Sequence, residues 1–241
     1  MFAKTRLALL VGWVTGSVAF PLLAQETTKN DTVVVTSQMQ SGATKLATPD
    51  IETPQSVSII TREQFEEQGA TSVRQAVSYT PGVYSNQIGA SNRFDYIVLR
   101  GFSDGSLDNV YLDGLKMMGD TNSHSSLVVD PWFLEDIELV RGPASVLYGR
   151  SSPGGIVALT SRKPSFDAGG EVKLFAGNNN QRGAAFDVTG ALDDNDRVAA
   201  RLSGMTRYAD SQFGPLKEER YALMPSLTWR ITDQTRLDLM A

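Results

Sequence analysis

Groups able to do covalent or metal chemistry are scarce in this sequence. It holds one histidine, His124, and no cysteine. That removes disulfides, thiol nucleophiles, cysteine-bound zinc and iron–sulfur clusters, and any site needing several histidines. No Gly-x-x-x-x-Gly-Lys loop, Gly-x-Gly-x-x-Gly turn or His-Glu-x-x-His pair occurs. Gly149-Arg150-Ser151-Ser152-Pro153 begins like a nucleophile elbow but lacks its closing glycine. Asp193-Asp194 sits among turn residues and reads as a solvated pair, and His124, within the polar run Asn122–Ser126, reads as a solvent-facing loop residue. An enzyme is not expected, nor a metal held by the protein. The chemistry left is non-covalent. Asp31-Thr32-Val33-Val34-Val35-Thr36 places three β-prone valines between threonines within a polar stretch. Such a segment can add itself as a strand to a partner's sheet edge, or serve equally well as the first strand of the domain that follows. A net charge of −5 and a pI near 5.0 argue against a general nucleic-acid binder.

The elements around these residues fall into four stretches. Lys4 and Arg6 precede the uncharged run Leu7–Leu23, which ends at Ala24. A basic start, an apolar middle and a small residue make residues 1–24 a secretory signal peptide. The competing reading, a spanning anchor, is disfavoured by Gly12, Gly16 and Pro21 and by the absence of a basic stop-transfer cluster. Residues 25–44 are rich in Thr, Ser and Gln and read as a flexible arm.

Residues 55–165 have the pattern of a compact α/β domain. Val57–Ile60 is a strand, and Thr61 with Gln64 is a capping box opening a helix to about Gln68. Ser72 with Gln75 repeats the box before Thr80-Pro81-Gly82 ends that helix. Tyr96–Leu99, Val110–Leu112, Glu138–Val140, Ser145–Tyr148 and Gly155–Thr160 are expected strands, and Pro131–Asp136 is expected to start a helix. From residue 166 to 241 the period changes to two. Val172 and Leu174 alternate with Glu171 and Lys173, Phe186 and Val188 with Asp187 and Thr189. Leu202 and Gly204 alternate with Arg201 and Ser203, and Tyr221, Leu223 and Trp229 with Ala222, Met224 and Thr228. Short links at Asp193–Asp196 and Thr232–Thr235 alternate with a longer one at Asp210–Lys217. This is the signature of a transmembrane β-barrel, although a soluble sandwich shares the period. About five strands cannot close a barrel, since closed ones start at eight. The chain therefore reads as the amino-terminal part of a longer polypeptide.

The order of leader, valine segment, α/β domain and alternating strands resembles a TonB-dependent outer-membrane receptor. The resemblance is carried by Thr53–Ser58, Tyr79–Val83, Leu99–Phe102, Val110–Leu115 and Arg141–Gly155 running on to Arg162-Lys163-Pro164. Within that family the ferric siderophore receptors of the ferrichrome and ferrioxamine type fit best, on Ser85–Arg100, Arg141–Gly155 and Arg220–Trp229. The resemblance implies that residues 45–165 plug a barrel in the outer membrane and that Asp31–Thr36 is the TonB box. The inner-membrane TonB–ExbB–ExbD complex would pull on that box to release cargo. It implies a monomer in contact with outer-membrane lipid, whose iron is carried by the siderophore and not by a protein cofactor. Arg100 and Arg141 match plug arginines that pair with carboxylates of the barrel wall. Gly105, Ser106, Met118, Asp120 and Asn122 match apical ligand positions. Ile88 stands where the ferrichrome receptor has a ligand-touching arginine, and Asn122 where it has an apical tyrosine, so ferrioxamine or another hydroxamate chelate fits at least as well as ferrichrome. Haem or cobalamin as cargo, or a surface β-rich binding protein without transport, are the alternatives.

Overall fold

The computed structural model describes residues 39–40, 45, 48–49, 52–87, 89, 95–102, 109–117, 119–120, 125–211 and 216–240. The leader at 1–24, Asp31, Thr32, Val33, Val34, Val35, Thr36, Ile88, Gly105, Ser106, Met118, Asn122 and His124 lie outside the described residues, and of Asp120 only the backbone is described.

A two-residue pair, β1 (Met39–Gln40) with β2 (Thr48–Pro49), precedes the first domain. There β3 (Ser56–Thr61) runs into α1 (Arg62–Glu67) and α2 (Val73–Ala76). The pair β4 (Val83–Tyr84) and β5 (Val98–Leu99) follows, then β6 (Val110–Leu112), β7 (Leu115–Lys116) and the pair β8 (Gly119–Asp120) with β9 (Ser125–Ser126). A short 3-10 turn at Pro131–Phe133 leads into β10 (Leu134–Arg141), α3 (Ser145–Tyr148) and β11 (Gly155–Ser161). The five-stranded sheet has the order β3-β10-β11-β6-β7, and its step from β11 to β6 is parallel. Ile60, Ile137, Leu139, Val157 and Leu159 from this sheet pack on Phe65, Val73 and Val77 from the helical segment to form the core.

Local sequence explains most of these boundaries. The Thr61 amide donates to Gln64 Oε1 at 3.1 Å, as the capping box requires. At α2 the Gln75 amide donates to Ser72 Oγ at 3.4 Å, while the Gln75 side chain reaches the Thr71 amide at 2.8 Å, one residue earlier than expected. Two expectations fail. Pro131 starts only one 3-10 turn, capped by Asp130 through the Trp132 amide at 3.0 Å. After it Leu134, Ile137, Leu139 and Val140 lie in a strand between β3 and β11, where burial of β-prone side chains outweighs the helix start. Ser145–Tyr148 is a helical turn and not a strand. It has no buried residue and no sheet edge to join, and Val146 is fully open to solvent.

The Gly154-Gly155 step has a steric cause. A Cβ on Gly155 would come within 2.1 Å of the Val140 carbonyl oxygen, and its φ is +132°. One on Gly154 would come within 2.2 Å of the Leu99 carbonyl oxygen. Both strands cross here too closely for any side chain.

The second sheet is a meander of β12 (Gly169–Ala176), β13 (Arg182–Ala191), β14 (Val198–Asp210), β15 (Lys217–Thr232) and β16 (Thr235–Met240), antiparallel throughout. Its two faces are inverted relative to a soluble sandwich. Val172, Leu174, Val188, Leu223 and Leu239 stand exposed on one face. Asp187, Arg201, Ser203, Arg207, Ser226 and Thr228 are buried on the other. An exposed apolar face over a buried polar one suits lipid outside and a filled lumen inside.

Gly155→Ala is expected to destabilise the first domain by about 2–4 kcal/mol, since backbone must move to admit the methyl group. Gly169→Ala, whose Cβ would sit 3.8 Å from Thr189 Cγ2, is expected to be nearly neutral. Urea unfolding in detergent, followed by tryptophan fluorescence, compares the two.

Candidate functional site

The buried polar face of the second sheet meets the first domain, and charged side chains make most of the contact. At its centre Asp187 on β13 is 2% exposed and accepts from Arg201 Nε on β14 at 3.0 Å through both carboxylate oxygens. The Ser203 hydroxyl donates to the same carboxylate, and Arg162, just past β11, lies 3.4 Å from it. Arg201 also donates to the Lys163 carbonyl at 2.6 Å. The chain leaving the first domain is thereby fixed against the wall strands.

Arg62, the first residue of α1, extends this network. Its Nη2 lies 2.7 Å from Glu66 on its own helix and 3.1 Å from Glu171 on β12. Its Nη1 donates to the Trp132 carbonyl at 3.2 Å and to that of Leu134 at 3.4 Å. Glu171 also lies 3.8 Å from Arg162. Arg62 and Arg162 both face the Trp132 ring, at 5.0 and 5.9 Å from its centroid. Burial holds the Arg162 guanidinium below its ordinary value, and the neighbouring charges of Arg62 and Arg201 push the same way.

A second contact runs in the opposite sense, with the carboxylate on the first domain. Asp130 accepts from Arg207 on β14 at 2.6 Å and lies 3.7 Å from Arg220 on β15. Arg207 also donates to the Thr71 carbonyl at 3.0 Å, and Arg220 pairs with Glu218 at 2.7 Å. Between the two contacts Trp132 and Phe133 pack on Ala185 and Met205 of the wall, and the Trp132 indole donates to the Phe186 carbonyl at 3.3 Å. A cavity of about 150 Å³ remains beside them, lined by Phe65, Gly69, Lys173, Phe175 and Arg207 among others. The domain is held at discrete points and is not fused to the wall by a continuous apolar core.

Arg100 and Arg141 lie elsewhere on the first domain. Arg141 donates to the Pro81 carbonyl at 3.0 Å and to Ser58 Oγ at 2.9 Å. Burial lowers its guanidinium pKa, and the Arg100 charge beside it adds to the effect. Arg100 has a positive φ of 51° and is exposed. Among the described residues neither arginine forms an ion pair with a carboxylate. No group of three or more His, Cys, Asp or Glu side chains converges as a metal site would require among the described residues.

Residues 49–156 match the TonB-dependent Receptor Plug Domain. These residues are the plug domain of a TonB-dependent receptor. It is 92% identical over all 241 residues to the ferrioxamine B receptor of Salmonella typhimurium, of which it covers 34%. It is 38% identical over 218 residues to the ferrichrome outer membrane transporter/phage receptor of Escherichia coli, covering 90% of this chain and 29% of that one. The crystal structure of the ferric-catecholate import receptor Fiu from E. coli K12, in its open form, superposes with a TM-score of 0.71 at 29% identity, over 85% of this chain and 29% of that one. The chain spans about a third of the length of the curated relatives it matches. The first domain is thus the plug, the second sheet the start of the barrel wall, and the location of this receptor the bacterial outer membrane. The relatives are receptors and transporters, not enzymes.

The residues that seat the plug were not singled out from sequence. Glu171, Asp187 and Arg201 were visible as the charged parity of alternating strands, but nothing local named Arg62, Asp130 or Arg162 as their partners. Asp187→Asn is expected to cost the receptor about 3–5 kcal/mol, because Arg162 and Arg201 would stay buried facing a neutral amide. A thermal melt in detergent would show it as a lowered midpoint.

Proposed function

We propose that this chain supplies the plug and the first five wall strands of a receptor that imports a ferric siderophore, a hydroxamate chelate and first of all ferrioxamine B. Energy comes from TonB, with ExbB and ExbD, acting on Asp31–Thr36. The observation that carries the transport reading is the seat of the plug: it fills the polar side of a lipid-facing wall, yet is held by discrete ion pairs around Asp187, Glu171 and Asp130. The cargo is argued from the 92% identity to a ferrioxamine B receptor. The iron travels inside its chelate as cargo, so no protein cofactor is needed, and the receptor works as a monomer in outer-membrane lipid.

Ligand contacts are assigned to the apical residues Gly105, Ser106, Met118, Asp120 and Asn122. Arg100 and Arg141 are assigned to wall carboxylates on strands beyond these five. Two guanidinium groups side by side, with only carbonyl and hydroxyl acceptors on Arg141, leave positive charge for such partners to neutralise.

In the full-length receptor, saturable quenching of tryptophan fluorescence by ferrioxamine B, and not by haemin, is expected. Quenching by haemin alone would move the receptor to another cargo. Val34→Pro is expected to abolish iron uptake while binding persists, because proline cannot complete a strand ladder with TonB. Uptake that survives Val34→Pro would remove the coupling role of the segment.

A further inference from the structure

The two ionic contacts between plug and wall differ in what each leaves behind when it opens. If Arg62 parts from Glu171, Arg62 keeps Glu66 at 2.7 Å and the carbonyls of Trp132 and Leu134, all plug groups. Glu171 keeps Arg162 at 3.8 Å, on the segment fixed to the wall by Asp187 and Arg201. Neither charge is stranded. If Asp130 parts from Arg207, the 5%-exposed carboxylate loses both arginines, Arg207 and Arg220, and keeps the neutral Trp132 amide at 3.0 Å, while Arg207 loses its carboxylate and the Thr71 carbonyl together. Breaking a buried pair is costly mainly because of the charge left without an opposite charge, so the contacts are unequal, and the one at 2.6 Å is also shorter than the one at 3.1 Å.

Their places in the chain point the same way. Arg62 directly follows β3, an edge strand bonded in its sheet to β10 alone and the first strand of the plug sheet after the arm. Asp130 stands before β10, which is held on both sides, by β3 and by β11. We infer that Arg62–Glu171 is the releasable contact between plug and wall, and Asp130–Arg207 the contact retained while cargo passes. This rests on the proposal that the plug is drawn from its amino-terminal side.

These 241 residues hold no cysteine, and any in the remainder of the receptor are first replaced by serine, so that paired cysteines can be joined selectively by a reducible bifunctional thiol reagent. In the full-length receptor, Arg62→Cys with Glu171→Cys tests the first contact, and Asp130→Cys with Arg207→Cys the second. Uptake is measured in energised cells and normalised to ferrioxamine B bound in the cold, which corrects for any loss of folded receptor. The expected result is that joining 62 to 171 stops uptake, that a reductant restores it, and that joining 130 to 207 leaves uptake intact. Uptake that continues with 62 and 171 joined would overturn the inference. A block by either link would overturn the assignment of a retained contact. If the reduced receptors take up iron even with Val34→Pro, the fault lies in the coupling proposal and not in the choice of contact.

Discussion

A wall that faces lipid must turn its polar groups inward, and something must then satisfy them. Asp187 is where this constraint is sharpest. Its carboxylate is buried on the inner side of β13, where two arginines and a serine meet it, one of the arginines at the exit of the plug. The plug is placed by that demand. Its last strand ends where Arg162 reaches Asp187, and Trp132 lies where its indole reaches a wall carbonyl. Charge burial on this scale contributes little net stability. What it supplies is position, since a misplaced plug would leave several ions unpaired.

The seat combines two kinds of contact. Apolar packing of Trp132 and Phe133 on Ala185 and Met205 is non-directional and tolerates small shifts. Ion pairs such as Asp130–Arg207 are directional and hold a register. With a cavity between them, the interface resembles a docked complex more than the interior of one domain.

How much of this was legible beforehand depends on the range over which each signal acts. The five wall strands follow from a period of two, which is local and strong from Glu171 to Leu239. The Thr61–Gln64 box is local too and caps α1 as expected, whereas the close approach of Gly154 and Gly155 to the Leu99 and Val140 carbonyls is set by distant strands. Ser145–Tyr148 misled because a short apolar run has no period, and the missing sheet partner could not be seen. The seat was illegible for a different reason. Arg62 and Glu171 are 109 residues apart and Arg207 and Asp130 are 77 apart, and no local spacing records such pairings. The resemblance supplied Arg100 and Arg141, and among the described residues neither meets a carboxylate.

The stitching of the segment after β11 has a further meaning. Ser165 and Thr189 exchange hydrogen bonds, the Phe166 carbonyl accepts from Ala191, and the Arg230 guanidinium stacks 3.8 Å from the Phe166 ring. A plug anchored this way stays at high effective concentration over its own pore whatever happens at its other end. If the plug is drawn aside as proposed, reclosure needs no search through orientations, and each opening would be a brief leak with a built-in return. For an envelope that must exclude detergents and antibiotics, the duration of the gap matters as much as its width.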